Sequence, residues 1–481
     1  MSTSDVIIGL EIHLQVTTSK TKMFCSCSSD YRNSPPNTNI CPICLGLPGT
    51  LPRPNKYVVD KAIQLAFALG SEISEDLVFA RKHYFYPDLP KGYQISQYTI
   101  GRYTALARGG SLEISLKGYR KNIRIRRINI EEDPAKIIYP EKDPWKSPYV
   151  LIDYNRSGIP LIEVATEPDL ESAEEAVVFV EKLLELADHL NITDPTLEGA
   201  FRVDANISVR GGERVEIKNI GSLKDLNKAI SFEIIRQKRL REIGERITRE
   251  TRHWDPVRGA TISARHKEFE EEYKYMPDPD IPPIKISREY LEKLRISLPE
   301  LPWIMKKRFI EKYSLTDYEA GVLVSRKWLA KYFEETVSFY NKPDKVADLL
   351  INDFLGIINE AGGRLDLVKA KPKQIAELLE LLDKKVISIK ILKEILPRVI
   401  FNGEDPRKII NEMNFTVISE DTFLEEIAEK VIRDNPKAVE DVKKNPKAIN
   451  FLVGQVMKLT KGRADPDKIN RIIRRKLGLG E

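Results

Sequence analysis

In the stretch Val6-Ile-Ile-Gly-Leu-Glu-Ile-His-Leu-Gln-Val16, Glu11 and His13 stand two residues apart, interleaved with Ile8, Leu10, Ile12 and Leu14. Successive side chains of a strand point to opposite faces, so this spacing sets a carboxylate beside an imidazole on one face and aliphatic groups on the other. The pattern recurs in Arg202-Val-Asp-Ala-Asn-Ile-Ser-Val209, where Asp204, Asn206 and Ser208 oppose Val203, Ala205 and Ile207. Val215-Glu-Ile-Lys-Asn219 opposes Glu216 and Lys218 to Val215 and Ile217, and Leu161-Ile-Glu-Val-Ala165 adds Glu163. Ile128-Asn-Ile-Glu-Glu-Asp133 closes a further strand with three consecutive acids. For any one strand the plainer reading is the solvated face of a half-buried antiparallel sheet. These faces, however, carry short acids, a histidine, asparagines and a lysine in place of the usual long Lys/Glu pairs and threonines. Converging carboxylates with a histidine suit a hard cation such as Mg2+ and, through it, nucleotide phosphates. The chain has no G-x-x-x-x-G-K-[ST] and no G-x-G-x-x-G, so ATP would be held by a cation and strand side chains and not by a phosphate loop. Lys91, Arg202 and Lys218 are the candidate phosphate partners, with Asn206 on the same face.

The four cysteines form a second constellation, Cys25-Ser-Cys27 and Cys41-Pro-Ile-Cys44. Two thiolate pairs brought together by one loop supply the four soft ligands of tetrahedral Zn2+, a closed and therefore structural site. Reduced, partly buried thiols and an iron-sulfur cluster are the alternatives, and the C-x-C spacing of the first pair departs from the commoner C-x-x-C.

These side chains must be positioned by an α+β fold. Up to about Pro283, alternating strands are punctuated by Gly, Pro and Asn turns; Asp278-Pro-Asp-Ile-Pro-Pro283 marks a break, after which apolar residues recur at three and four, as in Ile375-Ala-Glu-Leu-Leu-Glu-Leu-Leu. A second break falls at Asn402-Gly-Glu-Asp-Pro406. The expected organisation is an antiparallel-sheet domain with the cysteine loop over residues 1–286, an all-α middle domain over 287–405 and a small all-α tail over 406–481. At 481 residues, two to four domains are expected. No apolar run approaches the roughly 18 residues that span a bilayer, and the first residues carry no basic leader, so no membrane association and a cytoplasmic location are expected. A net charge of +5 confines any nucleic-acid contact to local patches.

At these residues the chain resembles the B subunits of the three-subunit Asp/Glu-tRNA amidotransferases. The segments that carry the resemblance are Gly9-Leu-Glu-Ile-His13, Cys41-Pro-Ile-Cys-Leu-Gly-Leu-Pro-Gly-Thr-Leu-Pro52, Tyr84-Phe-Tyr-Pro-Asp-Leu-Pro-Lys-Gly-Tyr-Gln-Ile-Ser-Gln97, Ile130-Glu-Glu-Asp133, Asp153-Tyr-Asn-Arg-Ser-Gly-Ile-Pro-Leu-Ile-Glu163, Arg202-Val-Asp-Ala-Asn-Ile-Ser208, Glu216-Ile-Lys-Asn219 and Phe451-Leu-Val-Gly-Gln-Val-Met-Lys458. The resemblance implies a cradle-shaped catalytic domain in which Glu11, His13, Glu132, Glu163, Asp204 and Glu216 line a cation and ATP site. Glu132 is taken over Glu131 from the family pattern, because alternation from Ile128 and Ile130 sends Glu132 to the core side unless the strand has ended. The family often has a histidine where this chain has Asn129. The implied activity is ATP-dependent phosphorylation of the side-chain carboxylate of Asp-tRNA(Asn) or Glu-tRNA(Gln), then amidation. The chain has no cysteine outside the cluster and no Ser/Lys amidase signature, so ammonia would come from an amidase (A) subunit, with a small C subunit as third partner. The implied tRNA contact is the tail, where Lys458, Lys461, Arg463, Lys468, Arg471, Arg474, Arg475 and Lys476 face only Asp465 and Asp467. A metal-dependent nuclease or phosphatase and a zinc-braced RNA-binding scaffold are the competing readings. The aromatic side chains Tyr84, Tyr86 and Tyr93 would shape the pocket, stack on a terminal adenosine or simply pack.

Overall fold

The computed structural model describes residues 5–98, 105–116, 118–141, 146–263, 273–363, 367–412, 421–444, 448–460 and 464–479. The chain divides into two compact units, Met1–Pro302 and Trp303–Glu481.

The first unit is built on a ten-stranded sheet. Its spatial order runs Ala260–Ser263, Glu250–Asp255, Val215–Ile220, Phe201–Val209, Val6–Gln15, Pro160–Thr166, Tyr119–Glu132, Ala107–Arg108, Glu72–Ile73, with Ser111–Leu116 folded back on Tyr119–Glu132. Neighbours pair antiparallel except Val215–Ile220 with Glu250–Asp255. A parallel pair needs a crossover, and the Leu223–Glu242 helix provides it. The first strand is thus central, flanked by Phe201–Val209 and Pro160–Thr166.

Alternation along that strand sets the layers. Ile8, Leu10, Ile12 and Leu14 are at most 1% exposed and pack with Phe179, Val180 and Leu183 of the Ala173–His189 helix and Leu226 and Ile230 of Leu223–Glu242. Each such side chain contributes about 1.5–3 kcal/mol by leaving water. The helices start where the sequence supplies caps: Ser172 accepts from the Glu175 amide and Ser222 from that of Asp225. With helices over one face, the odd-numbered residues of the first strand are left on the other.

The first unit runs past residue 286. The Arg288–Ile296 helix lays Tyr290, Leu291 and Leu294 on the N-terminal core, so its amphipathic stripe is satisfied there. The described elements of the second unit are helical, with two apolar cores. Phe309, Phe333, Phe354, Leu379 and Leu396 centre the first; Leu424, Leu452, Val456, Ile469 and Ile473 centre the second. Within the first, Gly403 ends the Ile389–Asn402 helix at φ 68°, a conformation glycine adopts without a Cβ clash, and Ile409 and Ile410 of the Pro406–Glu412 helix still pack in that core, so it runs past the break expected at residue 405. No described helix is long and apolar enough to cross a membrane.

Candidate active site

Register across the three central strands gathers the polar side chains that alternation sends to the uncovered face. Glu11 lies opposite Asp204 on one side and Ala165 on the other; His13 lies opposite Arg202 and Glu163. Glu163 lies opposite Asn129, and Asn206 opposite Glu216. The result is two adjoining clusters, His13 with Glu131 and Glu163, and Glu11 with Asp204 and Glu216. Within each, one ligand atom per residue lies within 4.8 Å of the others.

Two β-bulges tune this face. On the Tyr119–Glu132 strand, Ala165 pairs with Arg127 but Thr166 with Ile125, so Arg126 is an extra residue. On the other side, pairing shifts between Val203 and Ala205, and Asn219 adopts φ 62°, a left-handed conformation that asparagine tolerates. That turn aims the Asn219 amide at Asp204 Oδ1, 2.8 Å away. The Thr251 hydroxyl donates to Glu216 Oε2 at 3.2 Å, and Lys218 Nζ lies 4.0 Å from Glu216 Oε1. Arg127 reaches Glu163 at 2.9 Å and Glu11 at 3.8 Å.

The face holds more carboxylates than it can keep ionised alone. Burial, reinforced by the charges of Glu131 and Glu11 against the opposing Arg127, pushes Glu163 up to about 7. Burial also opposes ionisation of Glu131, but the hydrogen bond and charge of His13 override it and hold the carboxyl low. His13 moves up correspondingly: burial opposes its charge most strongly, but the approach of Glu131, 3.6 Å away, together with the charges of Glu131 and Glu163 outweighs it. Protons on His13 and Glu163 thus offset charge that a divalent cation is suited to offset. Among the described residues, the buried Nδ1 of His13 has no hydrogen-bond partner, nor do Asn129 Oδ1 and Asn206 Oδ1. Orphaned buried polar atoms are rare and costly, so these atoms and the oxygen-rich donor set fit Mg2+.

Of the residues expected from sequence, Glu11, His13, Glu163, Asp204 and Glu216 come together here. Glu132 does not. The strand continues through Glu132, so alternation carries its carboxylate to the other side, where it pairs with Lys91 and accepts from the Ile95 amide at 2.9 Å. Glu131 stands in its place on the face. Lys91 is thereby committed to Glu132, and Arg202 to Asp133 at 2.9 Å, an acid that also accepts from Gln15. Lys218 and Asn206 remain on the face. Arg127 was missed, although it shares parity with Asn129 and Glu131; extending the alternation two residues upstream would have found it. Tyr84 stacks edge-on with Tyr86 and Tyr273, and Tyr93 sits beneath the Arg81 guanidinium.

Beyond Glu132 and Lys91 lies the cysteine loop. Cys25, Cys27, Cys41 and Cys44 bring their sulfurs within 4.8 Å of one another, compared with the roughly 3.8 Å edge of a zinc tetrathiolate. A hydrogen bond from Cys25 and the charge of Lys22 bring Cys44 down to about 5, whereas burial first, then Cys41, pushes Cys27 up to about 11. One stabilised thiolate among reluctant thiols is the chemistry of a donor set suited to Zn2+. Lys22 is fully buried, with Nζ 3.7 Å from Cys44 Sγ and 2.9 Å from the Asn39 carbonyl.

In the tail, Arg475 pairs with Glu425 and Lys476 with Glu429, both on the Asp421–Asp434 helix. Lys458, Lys468, Arg471 and Arg474 lie on the Ile449–Leu459 and Pro466–Leu477 helices; Lys461 and Arg463 lie outside the described residues.

Residues 6–292 match the GatB/GatE catalytic domain, and residues 331–477 match the GatB domain. Over 98% of its length the chain is 51% identical to the whole of a Saccharolobus solfataricus protein. It is 47% identical to a Carboxydothermus hydrogenoformans protein and 45% to one from Thermotoga maritima, over 98% of both partners in each comparison. All three relatives are named as the B subunit of an aspartyl/glutamyl-tRNA(Asn/Gln) amidotransferase.

Proposed function

The chain belongs to the family of aspartyl/glutamyl-tRNA(Asn/Gln) amidotransferase B subunits, and from that premise we propose that its acidic face activates the side-chain carboxylate of a mischarged aminoacyl-tRNA. Members of the family are components of a ligase-type complex in tRNA-dependent amidation. A free carboxylate resists ammonia because its charge repels the nucleophile and oxide is no leaving group. In the proposed reaction a carboxylate oxygen attacks the γ-phosphorus of ATP, the bond to the β-phosphate breaks and ADP departs. Ammonia then attacks the acyl carbon, phosphate leaves with the former carboxylate oxygen, and the nitrogen sheds a proton. Mg2+, when bound by Glu11, His13, Glu131, Glu163, Asp204 and Glu216, would neutralise the phosphoryl oxygens. The face itself keeps the acids converged and uses Arg127 to limit their mutual repulsion.

The observation that carries this reading is the pair of adjoining acid clusters with an unpartnered His13 nitrogen between strands that alternation alone would leave solvated. We assign Zn2+ to the four cysteines as a brace, residues 303–412 to a middle helical domain and the residues that follow to a tRNA-contacting tail. The partners in this reading are an amidase A subunit that supplies ammonia, a small C subunit and mischarged tRNA(Asn) or tRNA(Gln), in the cytoplasm.

The test is to give the reconstituted complex each mischarged tRNA with ATP and ammonium and to identify the amino acid released afterwards. Glu11→Gln and Asp204→Asn should abolish ATP-dependent amide formation and spare glutamine hydrolysis by the partner. Full amidation by either variant would overturn the assignment, and RNA cleavage without ATP would favour the nuclease reading.

A further inference from the structure

Asn129 lies on the Tyr119–Glu132 strand two residues before Glu131 and two after Arg127, and the proposed reaction gives it no part. Period two puts these three side chains on the uncovered face of the sheet, while Ile128 and Ile130 enter the apolar core. Across the neighbouring strands Asn129 lies opposite Glu163, which in turn lies opposite His13. Residues directly opposite in an antiparallel pair hold their Cβ atoms about 4.5–5.5 Å apart. Asn129 therefore ends a row that runs His13, Glu163, Asn129 across three strands, and it borders the cluster of His13, Glu131 and Glu163.

Packing does not account for an amide in this place. Asn129 is 3% exposed, and its Oδ1 accepts no hydrogen bond among the described residues. The donors that adjoin it are engaged elsewhere: Ser96 donates to Glu131 Oε1, Gln97 to the Val78 carbonyl at 3.3 Å, and Arg127 Nε to Glu163 Oε1 at 3.0 Å. Nearly all buried polar side-chain atoms in folded proteins have a partner, and one without is costly. A leucine of nearly the same size would carry no such cost. The surroundings indicate what the oxygen is suited to meet. Glu131 and Glu163 are acids, and His13 brings a second buried atom, Nδ1, with no hydrogen-bond partner among the described residues.

We infer that Asn129, through Oδ1, is a further ligand for a divalent cation and completes a pocket with His13, Glu131 and Glu163. The inference rests on the cation reading of the acid face and adds to it a ligand that is neither an acid nor a histidine. Side-chain amide oxygens serve hard cations alongside carboxylates, so the donor type fits. Its neutrality has a use. Two carboxylates already balance the charge of a divalent ion, and an uncharged donor adds coordination without adding negative charge. The pocket can then still receive the anionic oxygens of a phosphoryl group, which a third carboxylate would repel.

The experiment follows Mn2+ binding to the full chain by electron paramagnetic resonance, with thermal unfolding of the cation-free chain beside it. Asn129→Leu keeps size and charge and removes the oxygen. It should lower Mn2+ affinity by about tenfold or more, since residues that merely support a ligand are already worth that much. Its Tm without cation should equal or exceed the parent's, because the variant deletes an unsatisfied acceptor from the interior. Asn129→Asp returns an oxygen to the position and should bind Mn2+ at least as tightly as the parent. Parent-like Mn2+ affinity in a folded Asn129→Leu chain would overturn the inference. So would a cation-free Tm for Asn129→Leu well below the parent's, which would make the amide a structural group. Asn129→Asp binding Mn2+ more weakly than the parent would overturn it on its own, whether or not the leucine variant folds. A parent chain whose Mn2+ binding is indifferent to both Glu131→Gln and Glu163→Gln would instead remove the cation reading on which the inference stands.

Discussion

Glu132→Gln separates two roles that neighbouring acids play. Glu132 and Lys91 form an ion pair whose side chains are 3% and 6% exposed. Removing one charge leaves the other uncompensated in low dielectric, which costs about 3–5 kcal/mol. The glutamine oxygen can still accept from the Ile95 amide, so the lower end of that range, about 3 kcal/mol, is expected. For a unit of about 300 residues that corresponds to a fall in Tm of roughly 5 °C. Thermal unfolding of the full chain would measure it, and adding Lys91→Met should recover most of the loss, because the orphaned charge is then gone. Mn2+ affinity of the folded Glu132→Gln chain should stay within about twofold of the parent, whereas Glu131→Gln, which strips His13 of its partner, should lower it by about tenfold or more. An unchanged Tm together with lost Mn2+ binding in Glu132→Gln would refute the placement of the two acids.

Cation affinity should also depend on pH. Because Glu163 keeps its proton up to about 7, a cation must displace that proton below this value. Mn2+ binding should be full above pH 7 and weaken by up to about tenfold per unit below it; a flat profile from about pH 8 to 5.5 would contradict the burial of Glu163. The same raised value means that, without a cation, this group's contribution to stability is present below 4.5 and is lost as pH rises from 4.5 to about 7. Lys22→Met should speed the loss of Zn2+ to a chelator, followed with a colorimetric metal indicator, because the buried ammonium beside Cys44 offsets part of the tetrathiolate's charge. Deleting residues 411–481 should weaken tRNA binding in a filter assay while leaving Mn2+ binding intact.

How much of this was legible in sequence follows from what alternation encodes. Period two requires nothing but the chain itself, so the faces of Glu11, His13, Asp204 and Glu216 could be read directly, as could the clustering of the cysteines. It also dictates that Glu132 faces away from Glu131, provided the strand persists, and it does persist. Choosing between the two acids from family pattern in place of parity moved the expected ligand by one residue and hence to the opposite side of the sheet. Arg127 was within reach of the same alternation, but Arg126 was not, for a different reason. A bulge is a property of two strands together, and the one at Arg126 depends on its register against Thr166, about forty residues later. The same holds for Asn219, whose left-handed turn has meaning only against Asp204.

The end of the Tyr119–Glu132 strand shows what such pairings achieve. Three consecutive acids leave it in three directions: Glu131 to His13 on the acid face, Glu132 to Lys91, and Asp133 to Arg202 and Gln15. Lys91 in turn is pressed by the cysteine loop, where a Cβ on Gly46 would fall 2.5 Å from its Cγ. That glycine sits at φ 67°, so both its backbone conformation and the space beside it exclude a side chain. The cysteine loop therefore bears on Lys91, Lys91 holds Glu132, and Glu132 is one peptide away from the acid that fixes His13. Mutual placement of this kind explains why the cysteine loop is kept so close to the acid face: it braces the strand end from which Glu131 projects.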